Sequence, residues 1–106
     1  MAIIRFTTPT IFFTFNQIDI TDITVAYLTI EQNGRVVIEK DITTATIVNT
    51  ETDKYISWKL AQTDTSKLSA GSKSKIYCDW KTTDGTRGRS YEVVEQIDDT
   101  GKQEVI

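Results

Sequence analysis

The chain has 106 residues, a mass of 12.0 kDa and a formal net charge of −3, which fits one domain and argues against disorder or a polyanionic partner. It contains no histidine and a single cysteine, which excludes histidine triads, histidine metal sites, an intrachain disulfide and cysteine-cluster zinc sites. No apolar run approaches the ~20 residues of a membrane-spanning helix, and Met1 to Arg5 lack the long apolar stretch of a secretory leader.

Eighteen threonines, 14 isoleucines and 7 valines make the chain rich in β-branched residues. Branching at Cβ stiffens χ1 and suits a pleated strand better than a helix. An all-β domain is therefore expected before any pattern is read.

Thr10 to Phe15 reads as the first strand, with Ile11, Phe13 and Phe15 on one face and Phe12 on the other. Phe12 then needs a cover or a partner. Pro9 sits just before the strand, where its missing N–H costs little. Asp19 to Asp22 reads as a loop. Thr24 to Gln32 alternates cleanly, with Ala26, Leu28 and Ile30 inward and Val25, Tyr27, Thr29 and Glu31 outward. Asn33-Gly34 then predicts a type I′ hairpin turn, after which Arg35 to Lys40 puts Val36 and Ile38 on one face. Ile42 to Val48 and Tyr55 to Leu60 read as two further strands joined by a hairpin loop over 49–54. In the second of these, Ile56, Trp58 and Leu60 face inward.

Gln62 to Ala70 breaks the two-residue period. Thr63 is a candidate cap for a helical turn, Leu68 tucks inward and Gly71 ends it. This predicts a short helical crossover between two sheets. Lys73 to Lys81 is a strand with Ile76, Cys78 and Trp80 inward and Lys75, Tyr77, Asp79 and Lys81 outward. Asp84-Gly85 marks another turn, and Arg89 to Ile97 is the last strand. Its Val93-Val94 pair implies a bulge or cover on both faces. The expected fold is an immunoglobulin-like two-sheet β-sandwich of about seven strands with one short helical crossover. Residues 1–97 form the domain and 98–106 a C-terminal tail, with no internal repeat and no linker.

Candidate sites are few. Trp58 and Trp80 alternate in phase with isoleucine and leucine, which marks them as core. Tyr27, Tyr55, Tyr77 and Tyr91 fall on outward faces, where tyrosine serves as an interface residue. Val105 and Ile106 are an odd end for a solvated tail and make a candidate peg for a neighbouring molecule. Between 67 and 89 the charge is basic and between 90 and 106 acidic; Lys73, Lys75, Lys81, Arg87 and Arg89 are a candidate basic patch. Strand edges guarded by lysine are the simpler reading of these residues. The pairs Asp19/Asp22 and Asp98/Asp99 match no oxygen-rich calcium loop. Cys78 points inward with no histidine to activate it. No catalytic residue, metal ligand or cofactor site is expected, and neither nucleic acid nor membrane is an expected partner.

Four segments carry a resemblance. These are Thr-Pro-Thr-x-x-Phe-Thr-Phe at 8–15 and Tyr-Leu-Thr-Ile-Glu-Gln-Asn-Gly-Arg-Val-Val-Ile-Glu-Lys at 27–40. The others are Ile-Ser-Trp-Lys-Leu-Ala-Gln-Thr-Asp-Thr at 56–65 and Lys-Ile-Tyr-Cys-Asp-Trp-Lys-Thr-Thr-Asp-Gly at 75–85. In this order, with Gln-Glu-Val-Ile as the end, they resemble small structural proteins of phages and prophages of Gram-positive bacteria. They are similar in character to the N-terminal sandwich domain of phage baseplate upper proteins. Ala61 stands where that pattern has threonine, and Arg35 where it has lysine. The resemblance implies a non-catalytic structural or assembly module of a phage particle, of the tail or baseplate type. It implies partners that are other copies of itself or other phage structural proteins. It also implies synthesis in the bacterial host cytoplasm before incorporation into the virion. The alternative expectation is a β-sandwich module that binds carbohydrate or another cell-surface ligand.

Overall fold

A computed structural model describes residues 3–15, 18–90, 92–99 and 101. Among the described residues nine strands and one α-helical turn follow each other as β1 (Ile3–Ile4), β2 (Thr10–Thr14), β3 (Ile23–Gln32), β4 (Arg35–Asp41), β5 (Thr46–Asn49), β6 (Lys54–Lys59), α1 (Gln62–Thr65), β7 (Lys73–Thr82), β8 (Arg87–Arg89) and β9 (Val93–Asp98). They form two sheets. The larger runs β1-β9-β7-β3-β4, with β8 also paired to β7, and the smaller runs β2-β6-β5. With β2, β6 and β5 in the places of strands B, E and D, and β3, β7 and β9 in those of C, F and G, the order is that of an immunoglobulin-like sandwich. Among the described residues nothing takes the place of strand A beside β2. The two-residue β1 pairs instead with β9, in parallel, Ile3 beside Ile97. The B–F disulfide and the strand-C tryptophan usual in antibody domains are absent: Cys78 is a free, buried thiol on β7, and the buried positions of β3 include Ala26, Leu28 and Ile30.

Local chemistry sets the turns. Asn33 and Gly34 take φ of 54° and 75°, the left-handed pair that a type I′ hairpin requires. The strand that follows does not keep the predicted phase. Glu31 pairs with Val36 but Ile30 pairs with Ile38, so Val37 is the extra residue of a β-bulge. The bulge turns Val36 out to solvent, 54% exposed, while Ile38 stays in the core at 3%.

The run from Ile42 to Val48 is not one strand either. Ile42–Thr44 forms a 3-10 turn capped by the Asp41 carboxylate, which accepts from the Thr43 N–H, and β5 begins only at Thr46. An aspartate with a backbone N–H two residues on competes with the sheet ladder for that donor. The same device, Asp19 accepting from the Thr21 N–H, makes a 3-10 turn of Ile20–Asp22. The N-cap of helix α1 is Ala61 and not Thr63. The Asp64 carboxylate reaches back to the Ala61 N–H at 2.9 Å, so the cap is supplied from inside the first turn.

The predicted last strand is two strands. Both β8 and β9 pair with β7, at Asp79 to Lys81 and at Lys73 to Ile76 respectively. The β9 register is continuous, and Val93 and Val94 are both exposed, at 46% and 55%. There is thus neither a bulge nor a cover on both faces at that pair. β9 extends through Asp98, whose carbonyl accepts from the Arg5 N–H, and the Arg5 guanidinium holds Asp99 at 2.6 Å.

The core lies between the sheets. Leu28, Ile30, Ile56, Leu60, Cys78 and Ile97 are at most 1% exposed, and each fully buried large aliphatic contributes about 1.5–3 kcal/mol. Trp58 is buried at its centre, edge-on to Phe13 at 5.9 Å, and its Nε1–H donates to the Asp41 carbonyl at 2.8 Å. That bond ties the small sheet to the end of β4. Trp80 differs from its predicted core placement: it is only partly buried, packed on the core from its border. Leu68 does tuck inward, at 1% exposure, as the crossover carries the chain from β6 to β7.

Candidate partner-binding groove

The small sheet is narrower than the large one, and the mismatch opens a groove at one side of the sandwich. β2 lies over β7, as the Phe15–Trp80 ring contact at 6.3 Å shows. β8, β9 and β1 lie beyond β7 on the side away from β3, so the large sheet overhangs β2. The space between has a volume of about 960 Å³. Its apolar lining includes Phe13, Phe15, Ile76, Trp80 and Val93, and its charged lining residues are Arg89 and Glu95.

Among the described residues the wall formed by β2 is a free sheet edge. Leu60 donates to the Pro9 carbonyl and Phe15 donates to the Lys54 carbonyl. In an antiparallel ladder the bonded positions alternate, so the odd-numbered residues of β2 bond to β6. The N–H and C=O groups of Thr10, Phe12 and Thr14 therefore point the other way, along the groove. No charged residue occurs from Phe6 to Ile18, so this edge lacks the lysines and inward charges that usually block edge pairing. Phe12 is 58% exposed on the outer face, edge-on to Tyr55 at 5.2 Å. The sequence marked Phe12 as needing a partner. It did not reveal the groove, which depends on where β2 and β9 end up relative to each other.

The tyrosines do not gather. Tyr55 flanks Phe12 on the small sheet, and Tyr27 is 40% exposed on the outer face of the large one. Tyr77 is buried, at 5%, against its predicted outward exposure. Its ring lies under the Arg89 guanidinium at 4.2 Å and its hydroxyl donates to the Glu31 carboxylate. That hydrogen bond, reinforced by burial, pushes the Tyr77 phenol up to about 12. Tyr77 is thus a covered part of the outer face, and the reason is a cross-strand cation placed over its ring. Tyr91, Val105 and Ile106 lie outside the described residues.

The basic residues are also divided. Lys81 and Arg87 face each other across the β7–β8 ladder. Lys73 and Lys75 lie at the opposite end of β7, Lys75 beside Glu31 and Val94. Arg89 sits between the two groups, but its Nε is 2.7 Å from Asp79 and its charge is matched there. The five cations thus do not converge on one spot.

The remaining candidates are structural. Burial pushes the Cys78 thiol up to about 12, and the nearby Asp79 adds to the shift, which makes it a poor nucleophile. Asp84 accepts from the Thr82 hydroxyl and the Thr86 N–H, and these bonds hold its carboxyl down at about 2. The Asp22 carbonyl accepts from the Thr83 N–H at 2.8 Å. Among the described residues no cluster of three or more acids or thiols has metal-binding geometry. No helix among them is long and apolar enough to cross a membrane. Comparison with protein-family models, with curated proteins and with solved structures finds no match to this chain.

Proposed function

We propose that this immunoglobulin-like sandwich is a non-catalytic assembly module of a phage or prophage particle, of the tail or baseplate type. The observation that supports this reading is the uncharged β2 edge, without a neighbouring strand among the described residues, beside an apolar groove, a surface suited to another polypeptide. Sugar binding is the weaker reading. A sugar site stacks its rings on flat aromatic faces, and the outer-face pair of exposed Phe12 and half-buried Tyr55 stands edge to face at 73°. Tyr27 lies on the other sheet and Tyr77 is covered.

The resemblance of the four segments to phage structural proteins supplies the kind of assembly. The test is mass spectrometry of density-banded particles from an induced culture of the bacterium that encodes the chain. The chain should be present at a fixed ratio to the tail proteins. Its absence from the particles would remove this reading.

A further inference from the structure

We infer that the groove receives a single extended strand donated by a neighbouring protein, uncharged at its centre and apolar at alternate positions. This inference rests on the assembly reading and names the partner's form. Three observations carry it. The first is the topology: the place of strand A beside β2 has no occupant among the described residues, while B, E and D are all present. The second is the edge itself. Thr10, Phe12 and Thr14 offer three N–H and three C=O groups in the spacing of an antiparallel ladder, and pairing to such groups is the main source of affinity in strand addition.

The third is charge. β2 and its flanks are uncharged from Phe6 to Ile18; the charged residues of the lining, Arg89 and Glu95, lie on β8 and β9 along the opposite wall, and Arg89 is matched by Asp79. A charged side chain pointing at Phe13, Phe15, Ile76 and Trp80 would lose water against an apolar surface. Alternate apolar side chains of the donor instead meet Phe13, Ile76, Trp80 and Val93, while the residues between them point to solvent.

The overhang decides the form of the occupant. Antiparallel pairing of two β2 edges places both large sheets on the same side of the joined small sheet. β8 and β9 of each copy would then occupy the space of the other's large sheet. A lone strand meets no such obstacle. The chain's own segment 102–106, Lys-Gln-Glu-Val-Ile, is a poor match. As an alternating strand its sequence would put Lys102, Glu104 and Ile106 on one face and Gln103 and Val105 on the other, so each apolar residue shares a face with polar or charged ones.

The probe is a capped peptide of alternating threonine and valine with one lysine at each end for solubility. Amide exchange is read by nuclear magnetic resonance on the full chain, with and without saturating peptide. Exchange at Thr10, Phe12 and Thr14 should slow at least about tenfold, the effect of one hydrogen bond per amide. Phe12→Pro removes one outward N–H from an edge position where proline is tolerated, so it should weaken peptide binding at least about tenfold while the thermal midpoint stays near that of the parent. Thr14→Pro serves the same purpose if Phe12→Pro does not fold.

Unchanged exchange at the three amides overturns the inference, as does equal binding by a folded proline variant. Protection that is already present without peptide and lost on ending the chain at Gly101 assigns the groove to the chain's own segment and also overturns it. So does peptide-free protection that grows with protein concentration, which assigns the groove to a second copy. Presence of the chain in banded particles together with failed peptide binding sinks only this inference, whereas absence from particles with intact peptide binding sinks only the phage reading.

Discussion

Truncating Trp58 is the sharpest probe of the sandwich. The side chain is 1% exposed, packs edge-on against Phe13 and donates to the Asp41 carbonyl at 2.8 Å. Replacing a buried tryptophan with alanine costs about 3–5 kcal/mol. The Asp41 carbonyl also loses its donor, a further penalty on the order of 1 kcal/mol where water does not reach it. Domains of this size fold with ~5–15 kcal/mol, so Trp58→Ala should remove about a quarter of the stability or more. At roughly 4–8 °C per kcal/mol, the thermal midpoint should fall by at least about 12 °C.

Trp58→Phe separates the two contributions, because it keeps an aromatic ring beside Phe13 and loses only the donor and part of the volume. Its cost should be about 1–3 kcal/mol. Trp80 is the internal control. It is partly buried at the border of the core, so Trp80→Ala should cost roughly half as much as Trp58→Ala. Urea unfolding followed by circular dichroism reads all three, provided the m-value is unchanged. The reasoning fails if Trp58→Ala stays within about 1 kcal/mol of the parent, or if Trp80→Ala costs more than Trp58→Ala.

Three further outcomes are expected. A Cβ on Gly88 would lie 2.2 Å from the Trp80 ring, so Gly88→Ala should destabilise by about 1–3 kcal/mol, and combining it with Trp80→Leu should recover part of the loss in a double-mutant cycle. In an ultraviolet titration Tyr77 should ionise near pH 12. Its pKa is raised on folding, so the stability it contributes is full below pH 10 and is lost as pH rises toward 12; Tyr77→Phe should abolish that late step. Burial works to raise the Asp64 carboxyl, but the Ala61 N–H and the Lys40 ammonium at 3.0 Å outweigh it and leave it below its ordinary value. A lowered pKa gives stability that is present above about pH 4 and lost as pH falls below it, so Asp64→Asn should flatten the acid limb of the stability curve; an unchanged limb would count against the Lys40–Asp64 link.

The sequence by itself determined the class of fold and most of its strands. Alternation fixes which side of β3, β6 and β7 is apolar, and burying apolar area favours one pairing of those faces. Asn33-Gly34 fixes the β3–β4 hairpin because only a left-handed pair closes it. Phe12 was legible as an apolar residue without a cover, and the uncharged stretch around it can be read directly along the chain.

What the sequence left open depended on neighbours far along the chain. Val36 turns outward because a bulge shifts the phase after it, and the bulge is defined only by pairing with β3. Tyr77 looked exposed by parity, yet Arg89, brought across from β8, covers it. Trp80 looked central by parity, yet it sits at the border because the small sheet ends at β2. The groove follows from that same mismatch in sheet width. Periodicity reports which face of a strand a side chain occupies; how far the opposite layer extends above it is decided by the tertiary structure.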